Sequence, residues 1–287
     1  MKSAGRVLDL VEILVASEQG LTFTDLLRRT GFPKSSLHAL LDVLTQRSYA
    51  HFDQRTNRYS LGIQVWQNGQ AYLRSRSIVR EAGDAMGGIG RELNETVQLA
   101  CLDGTENVYL AKVDSTHPLR LQSEVGARLA AHATGLGKAL LSGLPDDEIR
   151  RRHAGRPLVR MTPNTITSLD ALLAEAARIR ATGFSVDDEE YTPGLVCVAV
   201  PVRDSTGAVV VALSVAVPII RASTDVLGRA LTLLARASVD VTRRLHGPTD
   251  AATVRLADGQ ANAGELESRF GFLRRTADTP DAIGRRR

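Results

Sequence analysis

The sequence predicts an α+β protein in two unequal parts, a small N-terminal domain of about 60 residues and a larger C-terminal one. Three observations predict it. Within the first 46 residues apolar side chains recur three times at helical spacing, and two short strand-like runs follow. Farther on, β-rich runs first come as neighbours and later alternate with helical stretches, which suits α+β layering rather than a doubly wound parallel sheet. No glycine-rich phosphate-binding fingerprint precedes any of those later helices.

Composition narrows the function classes. The 287 residues are 43% hydrophobic and 24% charged, ordinary for a globular chain with a sizeable core. A formal charge of +4 permits contact with nucleic acid without demanding it. Two cysteines, Cys101 and Cys197, are too few and too scattered for a disulfide framework or a zinc cluster, and suit a reducing cytosol. The opening residues lack the apolar stretch of a secretory leader. The longest apolar run, Ala208–Ile220, is broken by Ser214 and Pro218 and falls short of the ~20 residues of a membrane span. The expectation is a cytoplasmic protein that makes no use of a membrane, with that run as a buried strand.

The small domain spans residues 1–61. From Ser3 to Ser17, Val7, Leu8, Leu10, Val11, Leu14 and Val15 form one stripe opposite Arg6, Asp9 and Glu12. Thr22 with Asp25 three residues on reads as a capping box, and Gly31 as the stop of the helix it opens. Pro33 opens a third helix, where its missing N–H costs nothing. Leu37, Leu40, Leu41 and Leu44 make its buried face. The other face presents Lys34, Ser35, Ser36, His38, Ala39 and Asp42, mostly short and polar. A solvated helix would favour long Glu, Lys and Gln there. Short hydroxyls beside a lysine, at a helix start with free amides, suit approach to a phosphate backbone.

Two helices joined by a short glycine-containing turn make a helix-turn-helix, although a plain three-helix scaffold would share the pattern. The next segment favours the former. Tyr49–Phe52 and Arg58–Leu61 read as strands about the turn Asp53–Asn57, with Arg55 and Arg58 on the hairpin and Asn57 able to take a positive φ. A basic hairpin directly after such a helix is a wing that can reach phosphate or the minor groove. The expected partner is double-stranded DNA.

Residues 62–76 read as a linker helix with Trp66 packed at the junction, and 77–247 as the larger domain. Its expected elements are a helix over Ile78–Leu93, strands over Thr96–Leu102 and Val108–Val113, helices over Gly135–Ser142 and Ser168–Thr182, strands over Val196–Val202 and Val209–Val217, and a helix over Thr224–Leu245. Residues 248–287 show little apolar periodicity and read as a disordered or loosely attached tail. In the larger domain Thr134 and two glycines stand just before a helix, where free amides form a ready site for a carboxylate.

The chain resembles the IclR family of bacterial transcription regulators. The resemblance rests on GRVLDLVEIL from Gly5, LTFTDLLRRTGFPKSSLHALL from Leu21, RYSLG from Arg58, GARLAAHATGLGKALL from Gly126, RMTPNTITSLD from Arg160, GFSVDDEEYTPGLVCVAVPVRD from Gly183 and ALSVAVP from Ala212. It implies a winged helix-turn-helix, a linker helix and a GAF-like effector-binding domain. It also implies a homodimer or dimer of dimers on a palindromic operator, repression being the commoner mode. Gly135 and Leu136 would give backbone donors to a small organic acid, Ser214 a hydroxyl, and Asp187 and Cys197 the rest of a polar wall. Leu121 and Leu136 would add apolar bulk.

Two departures from the family pattern bear on specificity. Ala39 stands where the family commonly has arginine, so a guanine or phosphate contact gives way to at most apolar contact with a thymine methyl. Ala216 stands where a second pocket serine is frequent, which favours an effector larger or more hydrophobic than a two- or three-carbon oxoacid. No cofactor or metal is expected, His132 reading as a structural hydrogen-bonding residue. Cys197, His132 and Asp187 could in principle form a nucleophile, base and orienter. No nucleophile elbow or metal-ligand spacing accompanies them, and a mid-strand thiolate would be poorly stabilised, so an enzyme is not expected. A protein-docking role for residues 34–46 is the remaining alternative, and it would lack the steep salt dependence of DNA binding.

Overall fold

The computed structural model describes residues 2–75, 77–120, 123–260 and 263–270. The chain divides into two compact units, 1–77 and 78–287, one residue beyond the boundary expected from sequence.

The first unit runs α1 (Lys2–Val15), β1 (Leu21–Thr22), α2 (Phe23–Thr30), α3 (Lys34–Gln46), β2 (Ala50–Asp53), β3 (Arg58–Leu61) and α4 (Ile63–Ser75). The capping box forms: the Asp25 amide donates to Thr22 Oγ1 at 3.2 Å, and the Thr22 amide to Asp25 Oδ2 at 3.2 Å. Gly31 stops α2 at φ 64°. Leu10, Leu14, Leu26, Leu37, Leu41 and Leu44 close one core against Tyr59 and Ala50. Fully burying one such leucine is worth about 1.5–3 kcal/mol, so this core fixes how α3 sits on its neighbours. The strands order β1-β3-β2, all antiparallel, and Asn57 takes φ 53° at the hairpin turn. Trp66, expected to pack, is 61% exposed in its own unit.

The second unit continues α5 (Ser77–Leu93), β4 (Thr96–Asp103), β5 (Glu106–Val113), β6 (Arg128–Ala130), a 3₁₀ turn (Ala131–Ala133), α6 (Gly135–Leu141), α7 (Asp146–His153), α8 (Leu169–Thr182), β7 (Ser185–Asp188), β8 (Leu195–Arg203), β9 (Val209–Pro218), a 3₁₀ turn (Ile219–Arg221) and α9 (Thr224–Arg244). Six antiparallel strands order β6-β5-β4-β9-β8-β7. Alternation sends Val198, Val200, Val211, Leu213 and Val215 to one face, against Leu227, Leu231 and Leu234 of α9 and Met86 of α5. Ala199 and Ala212 point to the other face, against Leu136, Ala139 and Leu140 of α6. Helices pack on both faces of the sheet, which is why β9 is apolar along most of its length, Ser214 excepted.

Residues beyond 247 correct the sequence expectation in part. Two further helices, α10 (Ala251–Ala257) and α11 (Ala263–Arg269), follow α9, and Ala252, Leu256, Leu266 and Phe270 are buried. The apolar groups are too few for a helical stripe to show in sequence, but Leu256, Leu266 and Phe270 join the core that contains α9. The last 17 residues lie outside the described ones. No described helix is long and apolar enough to cross a membrane.

Candidate functional site

The first candidate surface lies on α3 and the β2–β3 hairpin. Leu37 and Leu41 turn inward while Lys34, Ser35, His38, Ala39 and Asp42 stay exposed. His38 keeps 61% of its side chain exposed, 3.7 Å from Asp42 and with its ring 5.2 Å from that of Phe23. Pro33 precedes the helix and no side chain caps it. The first-turn amides therefore carry the positive end of a 13-residue helix with no protein anion on them.

Two sequence-chosen residues are already engaged within the unit. Ser36 is half-buried and accepts from Arg6 Nη1 at 3.1 Å, and the Arg6 guanidinium stacks 5.0 Å from the Phe32 ring centre. Arg58 donates from Nη1 to the Gly20 carbonyl at 2.8 Å, whereas Arg55 extends from the hairpin with 93% of its side chain exposed. Of the two wing arginines, only Arg55 is held out to solvent. The difference was invisible in sequence because Gly20 lies 38 positions away.

The second candidate site is a cavity of about 610 Å³ in the second unit. Gly135, Leu136, Asp187, Cys197 and Ser214 all line it, although they come from α6, β7, β8 and β9. Leu121, chosen with them, lies outside the described residues. Alternation puts Ala216 on the same side of β9 as Ser214, paired across from Cys197. Thr134 caps α6, accepting the Gly137 amide at 3.0 Å and donating to Asn107 Oδ1 at 2.7 Å. The next amides, Gly135 and Leu136, are of the kind a helix cannot bond to itself. Gly135 sits close to the sheet: a Cβ there would lie 3.5 Å from Cys197 Cβ and 3.6 Å from the Asp187 amide nitrogen.

Sequence reasoning missed most of the polar lining, including Gln98, Tyr109, Lys112, Asp114, Arg120 and Glu124. Gln98 was the available signal, a lone amide in the apolar strand TVQLACLD. It donates to Ser123 Oγ at 2.8 Å and accepts from Ser214 Oγ at 3.4 Å. Lys112 donates to the Ser123 carbonyl at 2.6 Å.

Electrostatics set the character of the wall. Asp187 is buried, and that burial followed by the Glu190 carboxylate pushes its pKa up to about 7, against the pull of Lys138. Its Oδ1 accepts the Glu190 amide at 2.7 Å. Behind it Lys138, 1% exposed, donates to Glu190 Oε1. Burial, then Asp187, raises the Cys197 thiol, so the group is a poor nucleophile there. His132 donates from Nε2 to the Val159 carbonyl at 3.0 Å, and burial lowers its pKa. Among the described residues no three His, Cys, Asp or Glu side chains are grouped to hold a metal ion.

Known proteins share this arrangement. The C-terminal domain of the bacterial transcriptional regulator IclR matches residues 70–243, and the IclR helix-turn-helix domain matches residues 3–54. The chain is 32% identical over 245 residues to the HTH-type transcriptional regulator KdgR of Escherichia coli strain K12, which spans 85% of this chain and 93% of that protein. It is 32% identical over 223 residues to the HTH-type transcriptional repressor AllR of Salmonella typhi, spanning 73% of this chain and 82% of that one. The crystal structure of the Thermotoga maritima IclR superposes with a TM-score of 0.73 at 25% identity, over 86% of this chain and 99% of that one. An exposed helix after a capped glycine turn, a basic hairpin and a polar cavity in a separate α+β unit thus have one reading, and the chain belongs to the IclR family of DNA-binding transcriptional regulators.

Proposed function

We propose that the chain represses transcription by seating α3 in the major groove of an operator, and that a small organic acid entering the cavity of the second unit releases it. The carrying observation is the convergence of Gly135, Leu136, Asp187, Cys197 and Ser214 on one cavity. The acid's carboxylate takes the Gly135 and Leu136 amides, Ser214 turns its hydroxyl from Gln98 to the acid, and Asp187 adds a donor or an acceptor according to its protonation. A cavity of about 610 Å³ sits within the roughly 300–1,000 Å³ of sites for drug-sized ligands. With Ala216 in place of a second hydroxyl, this favours an aromatic or branched acid over glyoxylate or pyruvate. Tight binding of the small acids alone would remove that preference.

On the DNA side, Lys34, Ser35, His38 and Arg55 make the outward contacts, and Ala39 meets a base edge with a methyl group only. Ser36 and Arg58 contribute by holding α3 and the wing in shape. The chain acts as a homodimer or dimer of dimers. The acid shifts the spacing of two recognition helices through the linker helix, a spacing that must match half-sites about 34–36 Å apart or a multiple of that. Relatives named as repressors support the direction of control. Footprinting on the promoter beside the protein's own gene, with and without a panel of acids, tests the reading. A protected palindrome lost on adding an acid is the expected result, and no protection at low salt would overturn it.

A further inference from the structure

The helices α10 and α11 lie beyond residue 243, where the match to the IclR C-terminal domain ends. Residues 250–260 and 263–270 form a strap packed against α9. Asp250 caps α10 by accepting the Thr253 amide at 2.7 Å, and Arg236 of α9 donates from Nε to the Ala257 carbonyl at 2.8 Å. A Cβ on Gly228 of α9 would lie 3.6 Å from Leu266 Cδ1, so Leu266 of α11 rests over that glycine. Leu266 and Phe270 are buried at 1% and 0% exposure.

The end of the strap meets α8 and the residue before β7, the strand that brings Asp187 to the cavity wall. Arg269, whose side chain is 4% exposed, donates to Glu175 Oε1, itself buried on α8. Its guanidinium also lies 5.5 Å from the ring centre of Phe184. Phe184 directly precedes β7, the strand that carries Asp187. Burial, and then the charge of Glu175, push up the pKa of Glu190, whose carboxylate holds Lys138 of α6 and whose amide donates to Asp187. Two buried ion pairs result, Arg269 with Glu175 and Lys138 with Glu190, and the charge of Lys138 also acts on the buried Asp187. Arg178, 3.6 Å from Glu175, is half-exposed and therefore screened by water.

We propose that the C-terminal strap is a latch on the cavity: Arg269, docked between Glu175 and Phe184, is a positioning residue that holds β7 and the Glu190–Lys138 pair in place, so that strap docking and cavity occupation are coupled. The proposal deepens the effector reading and rests on it for its biological meaning. The physical link is the cost of leaving a buried carboxylate without its cation, which the wall relieves by shifting or opening.

The test uses the full chain and no effector. Cys197 lines the cavity and Cys101 lies in the core against α9, so alkylation by iodoacetamide, resolved by peptide mass mapping, reports the wall against an internal reference. In Arg269→Gln the Cys197 rate should rise about tenfold with Cys101 unchanged, and Glu175→Gln in the same chain should bring it back to within about threefold of wild type. An unchanged Cys197 rate alongside faster hydrogen exchange in residues 263–270 would reduce the strap to local packing and overturn the latch. Should both cysteines accelerate because the variant unfolds, the unaltered protein decides. N-ethylmaleimide on Cys197, filling the cavity, should change hydrogen exchange of residues 263–270 by at least about threefold, as reciprocal coupling requires. No change would overturn the proposal. The effector reading fails separately, if no acid alters the operator footprint while this coupling persists.

Discussion

Arg55→Ala and Arg58→Ala separate two roles that look alike in the sequence. Arg55 has 93% of its side chain exposed and its nearest charged partner, Asp53, is 3.9 Å away. Removing it should leave folding within about 0.5 kcal/mol of wild type. If it meets a phosphate, the slope of log K against log salt for a generic duplex should shrink by about 0.9 per bound protomer, since one counterion fewer is released. Arg58 donates to the Gly20 carbonyl at 2.8 Å. A part-buried hydrogen bond from a charged donor is worth about 1.5–3 kcal/mol. In a unit of 77 residues each kcal/mol moves the midpoint by about 4–8 °C, so Arg58→Ala should lower its melting temperature by about 6 °C or more. Its salt slope should stay near the wild-type value once folded protein is compared. The assay pairs circular-dichroism melts with fluorescence-anisotropy titrations from about 50 to 200 mM salt. The reverse pattern, a lost slope for Arg58→Ala with no loss of stability, would refute this division of labour.

Three further outcomes follow from named contacts. Asp187 has a folded-state pKa raised to about 7, so its proton is held more tightly in the folded chain and its contribution favours folding at low pH and is lost as pH rises from about 4 through 7. Asp187→Asn removes that dependence, and its melting temperature relative to wild type should be higher at pH 8 than at pH 5; a flat difference would contradict the burial argument. A Cβ on Gly137 would lie 2.2 Å from Ala131 Cα and 2.3 Å from the Ala131 carbonyl oxygen, so Gly137→Ala must push α6 off the preceding turn, at a cost of about 1–3 kcal/mol or more by chemical denaturation. Ala39→Arg should add preference for guanine at one operator position when binding sites are selected from a random pool, by about 1–3 kcal/mol against other bases. An unchanged preference would place that side of α3 away from the bases.

How much was legible follows from how far each signal travels along the chain. The capping box of Thr22 and Asp25, the stop at Gly31, the leucine stripe of α3 and the turn at Asn57 are local, set by neighbours within a few residues, and the sequence alone determined them. The α+β class and the motif order were legible for the same reason. Short β6 and β7 and the charged α7 escaped, because three or four residues, or a helix with one buried apolar side chain, carry too little periodicity to register. The strap escaped because its anchors, Leu256, Leu266 and Phe270, are apolar only in isolation and find their partners on α9.

Only the tertiary structure decided the charges. Arg58 and Arg55 have equal claims in sequence until Gly20 takes one of them, and Lys138, in an apolar helix, finds Glu190 52 residues on. Arg269 finds Glu175 94 positions back. A buried ion must be paired with whatever the fold brings within reach. That partner is a property of the packed layers, and no local pattern along the chain encodes it.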